Sequence, residues 1–177
     1  IDEINADLYV SPNGNDNNTG TSPDSPFRTI NKAMITIKSD STHINTIHAA
    51  SGLYSTSQGD IFPINIKRFV RVVGEDQNST IMDCEHEYFA FYGPANADYI
   101  RRPGNIMLKN LKILNTFATP NLYMSISAAL GLPYDTKVEN VTIENLTAPY
   151  KPITFTIDAK RITVENVNLK ANVIDVF

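Results

Sequence analysis

The chain has 177 residues, enough for one sizeable core, with 42% hydrophobic and 19% charged side chains. No apolar run approaches the roughly 20 residues that cross a bilayer, and a net charge of −4 excludes the basic footprint that duplex nucleic acid requires. One cysteine, Cys84, excludes an internal disulfide and a cysteine-based zinc site, and tryptophan is absent.

Isoleucine, at about 20 copies, outnumbers leucine, at about 10, and threonine and valine are plentiful, which favours strands over helices. Asparagine makes up roughly a tenth of the chain, a composition suited to tight turns. The chain opens on Ile1 and not Met, which reads as a processed or cut chain from which an export leader has been removed.

Residues 7 to 10 read as a short strand running into Ser11–Asp24, a stretch of almost pure turn chemistry. Next comes the one expected helix, over 27–37: Ser25 suits the N-cap and Pro26 the first helical position. Phe27, Ile30, Met34 and Ile37 then fall on one face, laid over a core. Beyond Ser41 the period changes to that of strands. The predicted strands are Ile44–Ala49, Pro63–Lys67, Val70–Val73, Thr80–Asp83, Tyr88–Tyr92 and Ile106–Leu114. Leu122–Leu130, Val138–Glu144, Ile153–Asp158, Ile162–Leu169 and Val173–Phe177 complete the set.

An internal repeat organises the second half. Leu108-Lys-Asn-Leu-Lys-Ile-Leu-Asn115 matches Val138-Glu-Asn-Val-Thr-Ile-Glu-Asn145 and, more loosely, Val164-Glu-Asn-Val-Asn-Leu-Lys-Ala171. The shared asparagines Asn110, Asn140 and Asn166 set periods of about 30 and about 26 residues, with aliphatic side chains recurring around them. One further alternating strand lies between copies. A chain that returns to the same place one layer up is a coil of a parallel β-helix. The recurrent Asn sits where the strand turns, its amide bonding the equivalent turn of the next coil.

The segment from Asp7-Leu-Tyr-Val-Ser-Pro-Asn-Gly through Thr29-Ile-Asn-Lys-Ala33 resembles the opening of many secreted right-handed β-helix proteins of the pectate-lyase-like superfamily. Ser51-Gly-Leu-Tyr54, Phe62–Lys67, Val70-Arg-Val-Val-Gly-Glu75 and Thr80-Ile-Met-Asp83 are similar to that superfamily's first coil. The resemblance implies an all-β fold, a right-handed parallel β-helix (solenoid), with the helix capping its first coil. It also implies export. The expected layout is a single domain over 1–177: a strand, turn-rich loop and capping helix in 1–40, then four to five coils in 41–177. So few coils, ending on an uncapped apolar strand, read as the N-terminal part of a longer chain.

Members of the superfamily that cleave polysaccharides use clustered carboxylates, with calcium and a basic residue in the lyases. The sequence has no Asp-Asp pair, and Glu75-Asp76 reads as a structural turn. Asp83, Glu85 and Glu87 would share one face if extended, but stand too far apart on one strand for one ion. Asn13, Asn15, Asn17 and Asp24 mimic a calcium loop without its glycine or its charge, so no cofactor is expected and calcium is the one candidate, with a poor fit. His43, His48 and His86 read as packing or surface residues. In repeat register Lys109, Glu139 and Glu165 stack outward, with Glu139 beside Glu165 unfavourable unless Lys109 or a cation offsets it.

The second strand of each coil carries the candidate binding residues. Tyr123, Thr154, Thr156, Asp158 and Asp175 form a hydroxyl-rich face, on which tyrosine would stack against a sugar ring. The expected function is a secreted or cell-surface module that contacts polysaccharide and is non-catalytic in this segment. The partners it admits are polysaccharide, further domains of the same chain, or other copies end to end; nucleic acid and a membrane span are not among them. A polysaccharide lyase or glycoside hydrolase with active coils here or beyond residue 177 is the enzymatic alternative. A structural repeat of a surface or filament assembly is the third.

Overall fold

A computed structural model describes residues 2–85, 90–93, 104–116 and 135–145 with their side chains, and 130–132, 153–155, 163–165 and 168–170 by backbone alone. Strand β1 (Leu8–Val10) precedes one α-helix, α1 (Ile30–Thr36). The strands β2 (Asn45–Ala49), β3 (Gly52–Ser55), β4 (Ile64–Asn65), β5 (Val70–Gly74), β6 (Thr80–Asp83) and β7 (Phe91–Tyr92) follow, with a 3-10 turn at Thr56–Gln58. Then come β8 (Ile106–Leu114), β9 (Leu130–Leu132), β10 (Thr136–Glu144), β11 (Ile153–Phe155), β12 (Thr163–Glu165) and β13 (Asn168–Lys170).

Every strand pairing among these elements is parallel. A nine-stranded sheet runs β1-β2-β5-β8-β10-β12, with β6 beside the far half of β8, β3 beside β6, and β13 beside the far half of β10. A four-stranded sheet runs β11-β9-β7-β4. The chain therefore crosses the large sheet, then the small one, and returns beside its own previous pass. Identical registers bring like side chains together: Ile47, Val72, Leu108 and Val138 stack inward and are all fully buried. Met82, Ile113 and Ile143 form a second such column. These columns are the core, and β-branched side chains suit them because they pack well on a pleated surface.

The repeated asparagines stand where the inward column must turn. Asn110 and Asn140 adopt the left-handed conformation, at φ 55° and 51°, in the middle of β8 and β10. Asn reaches that region at lower cost than other side-chain-bearing residues. Asn140 Nδ2 donates to Asn110 Oδ1 at 3.2 Å, and Asn110 Nδ2 donates to the Gly74 carbonyl at 3.2 Å. The expected ladder is thus present across three passes, while Asn166 lies outside the described residues. At Gly74 an added Cβ would stand 2.0 Å from the Asn110 carbonyl oxygen, so the closest point of the bend admits only glycine. Two further left-handed positions recur in register. Phe69, Asn105 and Asp135 precede β5, β8 and β10, and Asn115 and Asn145 follow β8 and β10. Five asparagines, Asn105, Asn110, Asn115, Asn140 and Asn145, are therefore committed to turns that repeat from pass to pass.

The helix is shorter than its sequence pattern and starts later. Phe27 does not lie inside it: Tyr9 N donates to the Gly20 carbonyl, Phe27 N to the Tyr9 carbonyl and Ser11 N to the Phe27 carbonyl. Residues 20–27 thereby cover the free edge of β1, which would otherwise be an exposed template for pairing. Only after this can a helix begin, so Thr29, and not Ser25, is the N-cap, its Oγ1 accepting from Lys32 N at 3.1 Å. Ile37 is already extended and bridges Ile4. Phe27, Ile30, Met34 and Ile37 nonetheless share the core, each no more than 3% exposed.

Other boundaries moved as well: β4 keeps only Ile64–Asn65 of the strand expected over Pro63–Lys67, β10 begins at Thr136 and not Val138, and β2 at Asn45 and not Ile44. β3 escaped the pattern because Tyr54 and Ser55 are both buried, so it does not alternate; pairing with β6 holds it. Of the strand expected over 162–169, the described parts are β12 and β13, which pair in one register with the two halves of β10, and residues 166–167 lie outside the described residues. Val173–Phe177 and Leu122–Ala129 lie outside the described residues.

Candidate functional site

Alternation along the large sheet sends every second side chain outward, and parallel register gathers these into columns. One outward column runs Tyr9, His48, Val73, Lys109, Glu139. Beside it runs a second: Thr46, Arg71, Met107, Lys137.

At the first end of this face, Asp7 joins the two columns. Its Oδ2 lies 3.1 Å from His48 Nε2, and its Oδ1 accepts the Thr46 amide at 2.7 Å. The Tyr9 and His48 rings stack at 5.0 Å with planes 18° apart. His48 and Asp7 keep 41% and 44% of their side-chain surface, so the cluster is open to solvent. Arg71, on the next strand, makes no ion pair or hydrogen bond among the described residues.

At the other end, charges are paired. Glu139 lies 2.5 Å from Lys109 Nζ and 2.8 Å from Lys137 Nζ. Hydrogen bonds from Lys109 and then Lys137 pull its carboxyl down to about 2. The backbone of β10 and β12 does set Glu139 beside Glu165, and Lys109 supplies the expected offset from the other side. Past the asparagine bend, Lys112 pairs with Glu144 at 2.9 Å. Gln77, from the loop between β5 and β6, donates to Thr142 Oγ1 at 2.7 Å on β10. It thereby reaches across β8 and walls this half of the face from the next.

A second cluster of acids serves the cap. Asp16 accepts from Arg28 N, Thr29 N and Thr29 Oγ1 at 2.9, 2.9 and 2.8 Å. Asp60, 2% exposed, accepts from Ile30 N at 2.9 Å and Asn31 N at 3.2 Å. Burial pushes its carboxyl up to about 6 in spite of those two amides. Lys67 Nζ closes the other end of α1, donating to the Ile35 and Ile37 carbonyls and to Glu3.

The residues singled out in the sequence fall as follows. Tyr123, Thr156, Asp158 and Asp175 lie outside the described residues, and Thr154 is placed by backbone only, in β11 opposite Gly131. Glu75 accepts from Ser51 N, and Asp76 closes a turn on Asn78 and Ser79, so this pair holds loops. Asp83 ends β6 and accepts from Asn115 Nδ2; Glu85 is left-handed and not extended, which removes the shared face proposed for the two. His86 and Glu87 lie outside the described residues. In the 11–24 loop, Asn15 Oδ1 is occupied by the Asn17 amide, and Asp16, which the spacing argument passed over, is the residue that reaches the helix. Among the described residues no group of three or more His, Cys, Asp or Glu side chains converges as metal ligands do. Of the two readings the sequence leaves for His48, packing or surface, the structure shows the surface one; its partner, Asp7, is 41 positions away and only strand register brings them together.

Parallel strands, stacked asparagine turns and an outward face with an open aromatic–imidazole–carboxylate cluster define a mostly parallel all-β protein. Its sequence matches, over residues 12–175, the family described as protein of unknown function (DUF1565), and the chain belongs to that family. No curated protein and no solved structure matches it. Among the described residues no helix is long and apolar enough to cross a membrane.

Proposed function

We propose that the chain is a right-handed parallel β-helix of the pectate-lyase-like kind, exported to the cell surface or beyond, that contacts polysaccharide without cleaving it in this segment. The parallel registers and the in-register asparagine turns support the solenoid. The observation that carries the functional reading is the outward face of β1, β2, β5 and β8. It offers a stacked aromatic pair, Tyr9 and His48, and the Arg71 guanidinium, which makes no ion pair among the described residues, in a chain of net charge −4. Ring faces and fixed polar groups are what sugars are recognised by, and a column of outward side chains on successive parallel strands suits a polymer better than a small molecule. Tyr123, Thr154, Thr156, Asp158 and Asp175, the hydroxyl-rich set read from the sequence, are proposed as the other part of the contact surface.

A glycan array followed by calorimetry tests this reading. Binding to one or more plant or microbial polysaccharides, weakened by Tyr9→Ala, is the expected result. Flat responses across the array refute it. Release of reducing ends or unsaturated uronates during the same incubation replaces it with the enzymatic reading.

A further inference from the structure

We propose that Asp7, His48 and Arg71 form a proton-gated site for an anionic group, so that the outward face binds anionic polymers more tightly at acid pH. The polymeric partner rests on the reading above; the local chemistry does not.

The geometry leaves one imidazole nitrogen for the task. A carboxylate only accepts hydrogen bonds, so the Asp7 Oδ2 contact fixes the hydrogen of His48 on Nε2. Nδ1 is then the atom that gains or loses a proton. Asp7 cannot swing away freely, because its other oxygen holds the Thr46 amide. Tyr9 stacks on the ring and keeps its plane. Arg71 is the register partner of Thr46, the residue whose amide anchors Asp7, and among the described residues it has no counter-ion.

The charges around His48 are few. Asp7 stands beside β1, Arg71 is the charged residue of β5, and Lys109, one strand beyond Val73, is committed to Glu139. The segment on the far side of β1 carries Asp24 and Arg28, the latter held by Gln58. With His48 neutral, Asp7 and Arg71 cancel and Nδ1 presents a lone pair that repels an anion. With His48 protonated, the cluster carries one net positive charge and gains a donor, Nδ1–H, on the same outward face as the Arg71 guanidinium, one strand across. The ligand chemistry is a carboxylate or a sulfate ester.

The test combines affinity and imidazole NMR. Polygalacturonate, a sulfated polysaccharide and an uncharged glucan are titrated at about pH 5.5 and about pH 8, with the His48 ring signals reporting its protonation at each. The wild-type chain binds the anionic polymers about fivefold tighter at the lower pH, the scale of one exposed charge pair, and the glucan equally at both. His48→Gln abolishes the pH dependence and Arg71→Gln weakens anion binding at both values; circular dichroism checks that both variants are folded. Anionic-polymer binding that is equal at the two pH values, or a pH dependence that survives His48→Gln, overturns the proposal and leaves the polysaccharide reading standing. If no polymer binds but free galacturonate or sulfate shifts the His48 ring signals at low pH alone, the polysaccharide reading falls and the gated site stands. If neither ligand acts at either pH, both fall.

Discussion

Replacing Asp60 by Asn isolates the cost of a buried charge from the value of the hydrogen bonds it makes. In the folded chain the carboxyl titrates at about 6 and not at the ordinary 3.8, because burial penalises its ionised form. The native state therefore holds the proton more tightly than the unfolded one, and native stability falls as pH rises between those two values. At about 1.4 kcal/mol for each pH unit, the loss amounts to about 3 kcal/mol by neutral pH. Asparagine keeps the oxygen that accepts from Ile30 N and Asn31 N and never ionises. Asp60→Asn should match the wild type near pH 4 and exceed it by about 3 kcal/mol near pH 7, a melting shift of roughly 6–12 °C for a chain of this size. Denaturant and thermal unfolding at fixed ionic strength, followed by circular dichroism from pH 4 to 7, measures the gap. Asp40, Glu75, Asp76, Glu85 and Glu139 have lowered values and lose stability on the acid side, but they are common to both proteins and cancel in the difference. Asp60→Ala, which orphans two amides, should cost about 1–3 kcal/mol at pH 4, where the charge is already absent. A gap between wild type and Asp60→Asn that does not change with pH would refute the reasoning.

Three other substitutions probe the scaffold. Asn140→Ala should destabilise by about 1–3 kcal/mol and Asn140→Gly by less, because glycine keeps the left-handed turn while alanine loses both turn and side-chain bond; equal losses in chemical unfolding would show that conformation is immaterial. Gly74→Ala forces a Cβ against the Asn110 carbonyl, and should cost more than Asn140→Gly or prevent folding; a wild-type midpoint would contradict the close approach. Lys67→Met removes the cation that closes α1 and should expose residues 30–37 to faster hydrogen exchange, with β8 and β10 unchanged. Exchange that rises uniformly would place Lys67 in the global fold and not the cap.

What the sequence made legible follows from which interactions are periodic. The bounds of Ile106–Leu114 and Thr80–Asp83 are legible to the residue, because buried and outward positions alternate along Thr80–Asp83 and, either side of Asn110, along Ile106–Leu114. The Asn110–Asn140 ladder was legible for the same reason, since register repeats it. The second left-handed column, Asn115 and Asn145, closes both copies of the repeat and was there to be read. Non-periodic contacts were not legible. The helix start was misplaced because the edge of β1 claims Phe27, a tertiary demand that outweighs Ser25 and Pro26 as local signals. Asp60 and Lys67 reach α1 from 30 residues away, and Asp7 meets His48 across 41. No spacing rule links such pairs until the strands are laid side by side.

The outward face of the large sheet as a polysaccharide contact is tested most directly by backbone and side-chain NMR of the chain titrated with a polysaccharide chosen from the array. Shifts should concentrate at Tyr9, His48, Arg71 and Val73 and need a higher polymer concentration in Tyr9→Ala. Shifts confined to the cap, around the exposed Ile35 and Ile61, or no shifts at saturating polymer, would contradict that contact.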